Sequence, residues 1–297
     1  MTNSIGQPKM TEFLFILLRK ITSTIFGYRS IPLLSNFSKV MSKLLITKGS
    51  RIIKVNGYKM EIVIPKDKDM GGITRCLIFN KTYEPLTTEI LLPLLKPDMK
   101  AIDIGANIGY FTLLLAKHTN HVWAFEPEKN NFESLKNNVV LNNLTNVTTL
   151  NKAVSDKNGK RRLYISKEEP GAHSLNKVRR YKNYQMVETI SIDQRFPTEL
   201  IDIIKTDTEG HDLNVILGAQ NLINRSRNFI LITELWIDGF YSQGKDPSEM
   251  FKLLDKLQFY DIMIIDENLH KVTKGTLEEA IKNHRKHRQA VNLICKK

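Results

Sequence analysis

Glu126 closes the apolar run Trp123-Ala-Phe and stands 17 positions after Gly109, the second glycine of the turn Gly105-x-x-x-Gly109. An apolar stretch from Ala101 to Ile104 enters that turn, a helical pattern leaves it, and the next strand ends on the acid. This is the layout of a nucleoside-binding βαβ unit, in which a carboxylate accepts hydrogen bonds from both ribose hydroxyls. The turn carries Asn107 at its centre and lacks the third glycine that brings a dinucleotide fold's backbone onto a pyrophosphate. A ribose acid and a glycine turn without phosphate chemistry point to S-adenosylmethionine as the cofactor. A dinucleotide fold with a degenerate turn is the less favoured alternative. Gly105 and Gly109 are read as the turn, Glu126 as the ribose acid, and Asp103 and Asn107 as polar contacts near the methionine end.

A second set, Asp207, Glu209 and His211, follows the apolar stretch Leu200 to Thr206. Strand ends of open parallel sheets face the ligand crevice, so these side chains are expected beside the transferred methyl group. In an extended chain they would share one side, unless Gly210 breaks the alternation. Asp207 is the candidate contact to cofactor or acceptor. His211 is the candidate base, because an ordinary imidazole, with a pKa of about 6.5, is largely deprotonated at neutral pH. Glu209 and His211 read equally well as caps of the helix that follows, and Glu234 is placed to join the group. A divalent cation on these acids is the less favoured reading, since carboxylates alone do not establish a metal.

Stepping outward from these residues, the pattern predicts a β-hairpin from Arg51 to Ile64 around Asn56-Gly57 and a helix from Pro85 to Leu95. Strands are expected at Lys100 to Ile104, His121 to Glu126, Val147 to Lys152, Leu200 to Thr206 and Phe229 to Leu235. Helices are expected after the glycine turn, from Glu128 to about Asn142 and from Asp212 to Gln220. Such alternation predicts a mostly parallel sheet with helices on both faces. It breaks between Ala153 and Ile192, where short strands at Arg161 to Ile165 and Gln185 to Ile190 flank a polar stretch placed to cover a substrate. Trp123 and Trp236 sit in apolar strand patterns and read as core. His284 and His287 read as part of a solvated basic helix.

Five pieces in order resemble the FkbM family of S-adenosylmethionine-dependent methyltransferases. They are Tyr83-Glu-Pro85, Ile102-Asp-Ile-Gly-Ala-Asn-Ile-Gly-Tyr110, Phe125-Glu-Pro127, Ala153-Val-Ser-Asp156 and Ile204-Lys-Thr-Asp-Thr-Glu-Gly-His-Asp212. The likeness runs over about residues 51 to 270. Thr208 stands where the family usually has an aliphatic residue, and Asp212 where it usually has Glu. The resemblance implies a Rossmann-like class I methyltransferase fold with an antiparallel last strand near Val291 to Ile294. It places Ala153 against adenine and Glu84 near the cofactor's amino group, although a helix-start acid is an equal reading of Glu84. It also implies oxygen methylation, frequently of sugars in glycans or glycosylated metabolites.

The formal charge of +13 is carried by the ends: residues 1–60 hold +9 and residues 282–297 hold +6, which leaves −2 between them. A nucleic-acid enzyme more often carries its basic stripe at the active-site mouth. The sequence also lacks the Asn- or Asp-Pro-Pro and Pro-Cys signatures of base methylation. The expected acceptor is therefore a hydroxyl of a glycan or small molecule. An RNA 2′-hydroxyl methyltransferase and a non-catalytic cofactor-binding subunit are the alternatives. Residues 1–50 are expected to form a basic helical accessory segment, with two helices over residues 11 to 46 separated near Gly27 to Pro32, preceding a domain over 51–297. Within the segment, Phe13 to Phe26 suits either a helix packed on protein or peripheral contact of residues 1–60 with an anionic membrane. The run Phe13 to Leu18 is too short to span a bilayer. Two distant cysteines, Cys76 and Cys295, suit the cytoplasm.

Overall fold

The computed structural model describes residues 49–64, 72–166, 171–177 and 183–297. The helices expected over residues 11 to 46 lie outside the described residues, as does part of the polar stretch before Tyr184. Among the described residues, no helix is long and apolar enough to cross a membrane.

The chain opens on a hairpin of β1 (Gly49–Val55) and β2 (Tyr58–Ile64), turning at Asn56 and Gly57, both at positive φ. Alternation along β2 buries Tyr58, Met60, Ile62 and Ile64 against the domain, so the hairpin belongs to the core. Helix α1 (Gly72–Asn80) and helix α2 (Pro85–Leu91) follow; Pro85 opens α2, where its missing N–H costs nothing.

The central sheet is then laid down by β3 (Lys100–Ile104), β4 (His121–Phe125), β5 (Val147–Leu150), β9 (Ile203–Thr206), β10 (Ile230–Leu235), β11 (Asp261–Asp266), β12 (Lys271–Lys274) and β13 (Val291–Lys296). Its order is β12-β11-β13-β10-β9-β3-β4-β5. The neighbours from β5 to β10 are parallel, whereas β13 runs antiparallel to both β10 and β11, as the last strand was expected to do. Strand order reverses between β3 and β9, and a crevice opens at their carboxyl ends.

Both faces are covered. Ala101, Val122, Ile203, Ile232 and Ile294 point to the side packed by α1, α2, the helix after the glycine turn and the hairpin. Ile102, Ile104, Ile204, Leu231 and Leu293 point to the other side, against Leu213, Leu222, Met250 and Leu254. Apolar strands buried on both faces are what a parallel sheet between two helix layers requires.

Two expected elements differ. Val147 to Lys152 ends at Leu150, and Ala153–Val154 forms β6, which pairs with β8 (Asn183–Ile190) of a separate sheet completed by β7 (Gly159–Ile165). The helix expected from Asp212 to Gln220 stops at Leu217 and resumes at Gln220. At Gly218 a Cβ would lie 2.2 Å from the Ser155 carbonyl oxygen, so the chain turns there against the insertion.

Candidate functional site

The glycine turn is locked to the end of β4 by backbone. Gly105 and Ala106 N–H both donate to the Phe125 carbonyl at 2.9 and 3.0 Å. Gly105 has φ +75°, and a Cβ there would lie 2.0 Å from the Asp207 carbonyl oxygen. Gly109, at φ +97°, would put its Cβ 2.8 Å from Leu135. Both glycines are thus demanded by protein neighbours, which bring the ends of β3 and β9 together and seat the helix over Lys129–Leu141.

Glu126 sits beneath this turn, 5% exposed. One carboxylate oxygen accepts the Asn107 N–H and the other accepts the Glu128 N–H, each at 2.8 Å. Each oxygen keeps a further lone pair, the arrangement a diol needs. Burial pushes the Glu126 pKa up to about 8; the two N–H donors oppose this, and the charges of Glu128 and Asp103 add to it. Asp103 is fully buried: Oδ2 accepts from Thr112 at 2.5 Å, and Oδ1 has no hydrogen-bond partner among the described residues. Burial also raises the Asp103 pKa, against the pull of Lys205 and Thr112.

Lys205 is the neighbour that pattern reading passed over. Its Nζ donates to Asp207 Oδ2 at 3.1 Å, and a lysine inside the run Ile203-Ile-Lys-Thr206 was the signal for it. Glu84 stands at the start of α2 with φ 43° and ψ 64°, a left-handed conformation just before a proline. It accepts from Asn292 at 2.9 Å, and burial, reinforced by Asp207, raises its pKa to about 8. Backbone of this kind is held only where the surroundings impose it. Glu234 also lies here, its pKa raised by burial and by the charges of Glu209 and Asp207.

The chain after β9 is not extended. Glu209 and Gly210 both have positive φ, at 52° and 86°, so the expected alternation ends there. Asp207, Glu209 and His211 nevertheless all line one cavity of about 610 Å³. The base expected at His211 does not fit its surroundings. Its imidazole is 1% exposed, with Nε2 at 3.0 Å from Ser155 Oγ and Nδ1 at 3.2 Å from Asn176 Oδ1. Burial, with the charges of Arg161 and Lys245, lowers its pKa to about 3. Nor does it make a side-chain cap for the helix Asp212–Leu217. His211 instead ties the insertion to this loop, together with Ser174, whose hydroxyl donates to the Glu209 carbonyl, and Asn176, whose amide donates to the Gly210 carbonyl.

The tie lays residues 171–175 over the crevice, with Gly171 against Asn107. Phe125, Ala153, Val154 and Leu163 are apolar members of the lining that also holds Glu126. Asn268 and Gln289 add amides to the lining from loops that no motif had marked. The cavity suits S-adenosylmethionine on three counts: the paired acceptors of Glu126, the unpartnered Asp103 oxygen, and an excess of acid that favours a cationic cofactor over a pyrophosphate. Among the described residues, no group of three or more His, Cys, Asp or Glu is arranged to hold a metal ion.

A family model described as the methyltransferase FkbM domain matches residues 103–260. The hexuronic acid methyltransferase AglP of Haloferax volcanii is 28% identical over 212 residues, covering 70% of this chain and 81% of that protein. Among solved structures, the methyltransferase FkbM from Methylobacillus flagellatus is similar with a TM-score of 0.41 and 16% identity. The match covers 67% of this chain and 43% of that one, so this chain spans less than half of that relative. TYW2 of M. jannaschii, solved with AdoMet, gives a TM-score of 0.43 and 14% identity over 84% of this chain and 86% of that one.

Proposed function

The chain belongs to the FkbM methyltransferase family, and from that premise we propose that this S-adenosylmethionine-dependent methyltransferase methylates a hydroxyl oxygen of a sugar. The cofactor supplies an electrophilic methyl group on a sulfonium. The chain's own residues bind, aim and take up a proton. Glu126 would accept the ribose hydroxyls, Ala153 and Val154 would wall the adenine, and Asp103 and Asp207 would serve the methionine end, all of them residues of the cavity lining. Glu209, which lines the cavity, would take up the proton that an acceptor hydroxyl gives up on methylation.

The observation that carries the hydroxyl reading is the acid lining. A hydroxyl acceptor must shed a proton, and carboxylates are there to receive it. The sugar reading draws on the relative that acts on a hexuronic acid. The test supplies methyl-labelled S-adenosylmethionine with methyl glucoside, methyl glucuronide and total cellular glycan and RNA. Label in a saccharide that survives mild alkali is a methyl ether and is the expected result. Alkali-labile label would identify a carboxyl ester, and label recovered in RNA would move the reading to the ribose 2′-hydroxyl.

A further inference from the structure

Lys205 occupies the middle of a central strand with register partners Asp103 on β3 and Ile232 on β10, and it is 4% exposed. Burying an ammonium costs several kcal/mol unless charge partners repay it. Here they do. The Nζ lies 3.1 Å from Asp207 Oδ2 and 4.6 Å from the centre of the Phe111 ring. Burial alone would lower its pKa, but Asp207, Asp103 and Glu84 outweigh that and hold it above the ordinary lysine range. The cavity's other lysine, Lys152, is directed outward to Glu188 at 2.8 Å.

Asp207 is constrained twice. Its N–H donates to the Ile104 carbonyl at 3.1 Å, and its own carbonyl oxygen fills the space that a Cβ at Gly105 would need, so the backbone is held from two sides. The side chain has one remaining freedom, rotation, and Lys205 removes it by taking Oδ2. The carboxylate keeps 21% of its side chain exposed, on the cavity, with Oδ1 left for a ligand.

We propose that Lys205 is a positioning residue for the cofactor: its ammonium holds the Asp207 carboxylate at the methionine end of the cavity, so that Asp207 receives the amino-acid part of the ligand in one fixed orientation. This rests on the cofactor reading above. A pairing of this kind accounts for a lysine at a position where an apolar residue would pack at lower cost.

The test is calorimetric binding to the full chain of two probes, S-adenosylhomocysteine and 5′-methylthioadenosine. The second lacks the amino-acid part but keeps the adenosine. Lys205→Met and Asp207→Asn should each weaken S-adenosylhomocysteine by about tenfold or more, the loss expected for a hydrogen bond to a charged group. Neither should change methylthioadenosine binding. The double variant should be no weaker than Asp207→Asn alone, because both changes remove one contact. Equal loss for both probes would mean that Lys205 merely supports the strand end, and multiplied losses in the double variant would mean that it does not act through Asp207. Either result overturns the proposal. Should Lys205→Met lose its cooperative melting transition, the double variant, which leaves neither charge of the pair behind, takes its place. Folding with methylthioadenosine affinity intact and S-adenosylhomocysteine weakened supports the proposal; failure to fold, or loss of methylthioadenosine, refutes it. If the wild-type chain binds neither probe, the cofactor reading itself fails and this proposal falls with it.

Discussion

Glu126 shows how one side chain couples burial to ligand binding. Ribose hydroxyls donate hydrogen bonds, so they bind the ionised carboxylate, while burial holds the free protein's carboxyl up to about 8. Below that pH, binding must first displace a proton. Affinity for S-adenosylhomocysteine should therefore rise with pH up to about 8, by at most about tenfold per pH unit for one proton. Calorimetry in buffers of different ionisation enthalpy should register the released proton. Glu84 titrates in the same range beside Asp207 and Lys205, so Glu126→Gln should remove part of the slope and weaken binding. An affinity that is flat between pH 6 and pH 9 would show that Glu126 does not hold the ribose. Asp103, Asn107 and Glu126 were legible as candidates from motif spacing because one local βαβ unit positions them. The burial of His211, which lowers its basicity, was not, because it involves Ser155 and Asn176, 56 and 35 residues away.

At the level of elements, the crevice depends on how closely two strand ends approach. The loop after β3 and the loop after β9 touch through Gly105 and the Asp207 carbonyl, a contact with no room for a methyl group. Gly105→Ala must both adopt φ +75° and push against backbone, which cannot move aside as a side-chain tip would. The variant should lose about 1–3 kcal/mol of stability, seen as a lower denaturant midpoint, and lose S-adenosylhomocysteine binding. Stability and binding equal to wild type would show that the two loops can part without cost. Helix starts were legible where local chemistry marks them. Pro85 opens α2, and Glu128 accepts the Asn131 N–H at the start of the helix Lys129–Leu141. The break at Gly218 was not, since the atom that imposes it belongs to Ser155 in a different part of the chain.

Across the whole molecule, the fold gathers acids that water would otherwise keep apart. Burial raises Glu84 and Glu126 to about 8 and Asp212 to about 6, and raises Glu234 as well. A folded-state pKa above the unfolded value means that the native protein binds the proton more tightly. The stability these groups contribute is complete below about pH 4, where unfolded carboxyls titrate, and is lost as pH rises through 6 to 8. The ligand-free chain should therefore melt at lower temperature at pH 9 than at pH 5.5, and Glu126→Gln should show a smaller drop. A drop of the same size in both would remove Glu126 from this account. What the sequence determined by itself was the class of the sheet, the glycine turn, the acid that follows β4 and the acids at the end of β9, all set by apolar periodicity and short-range spacing. Tertiary structure alone decided that Lys205 would be buried beside Asp103 and paired with Asp207, and that Asn268 and Gln289 would reach the cavity. Those outcomes depend on strands far apart in the chain becoming neighbours, and on the burial that follows. Local pattern carries no record of either, because a side chain's charge state and partners are properties of the packed interior.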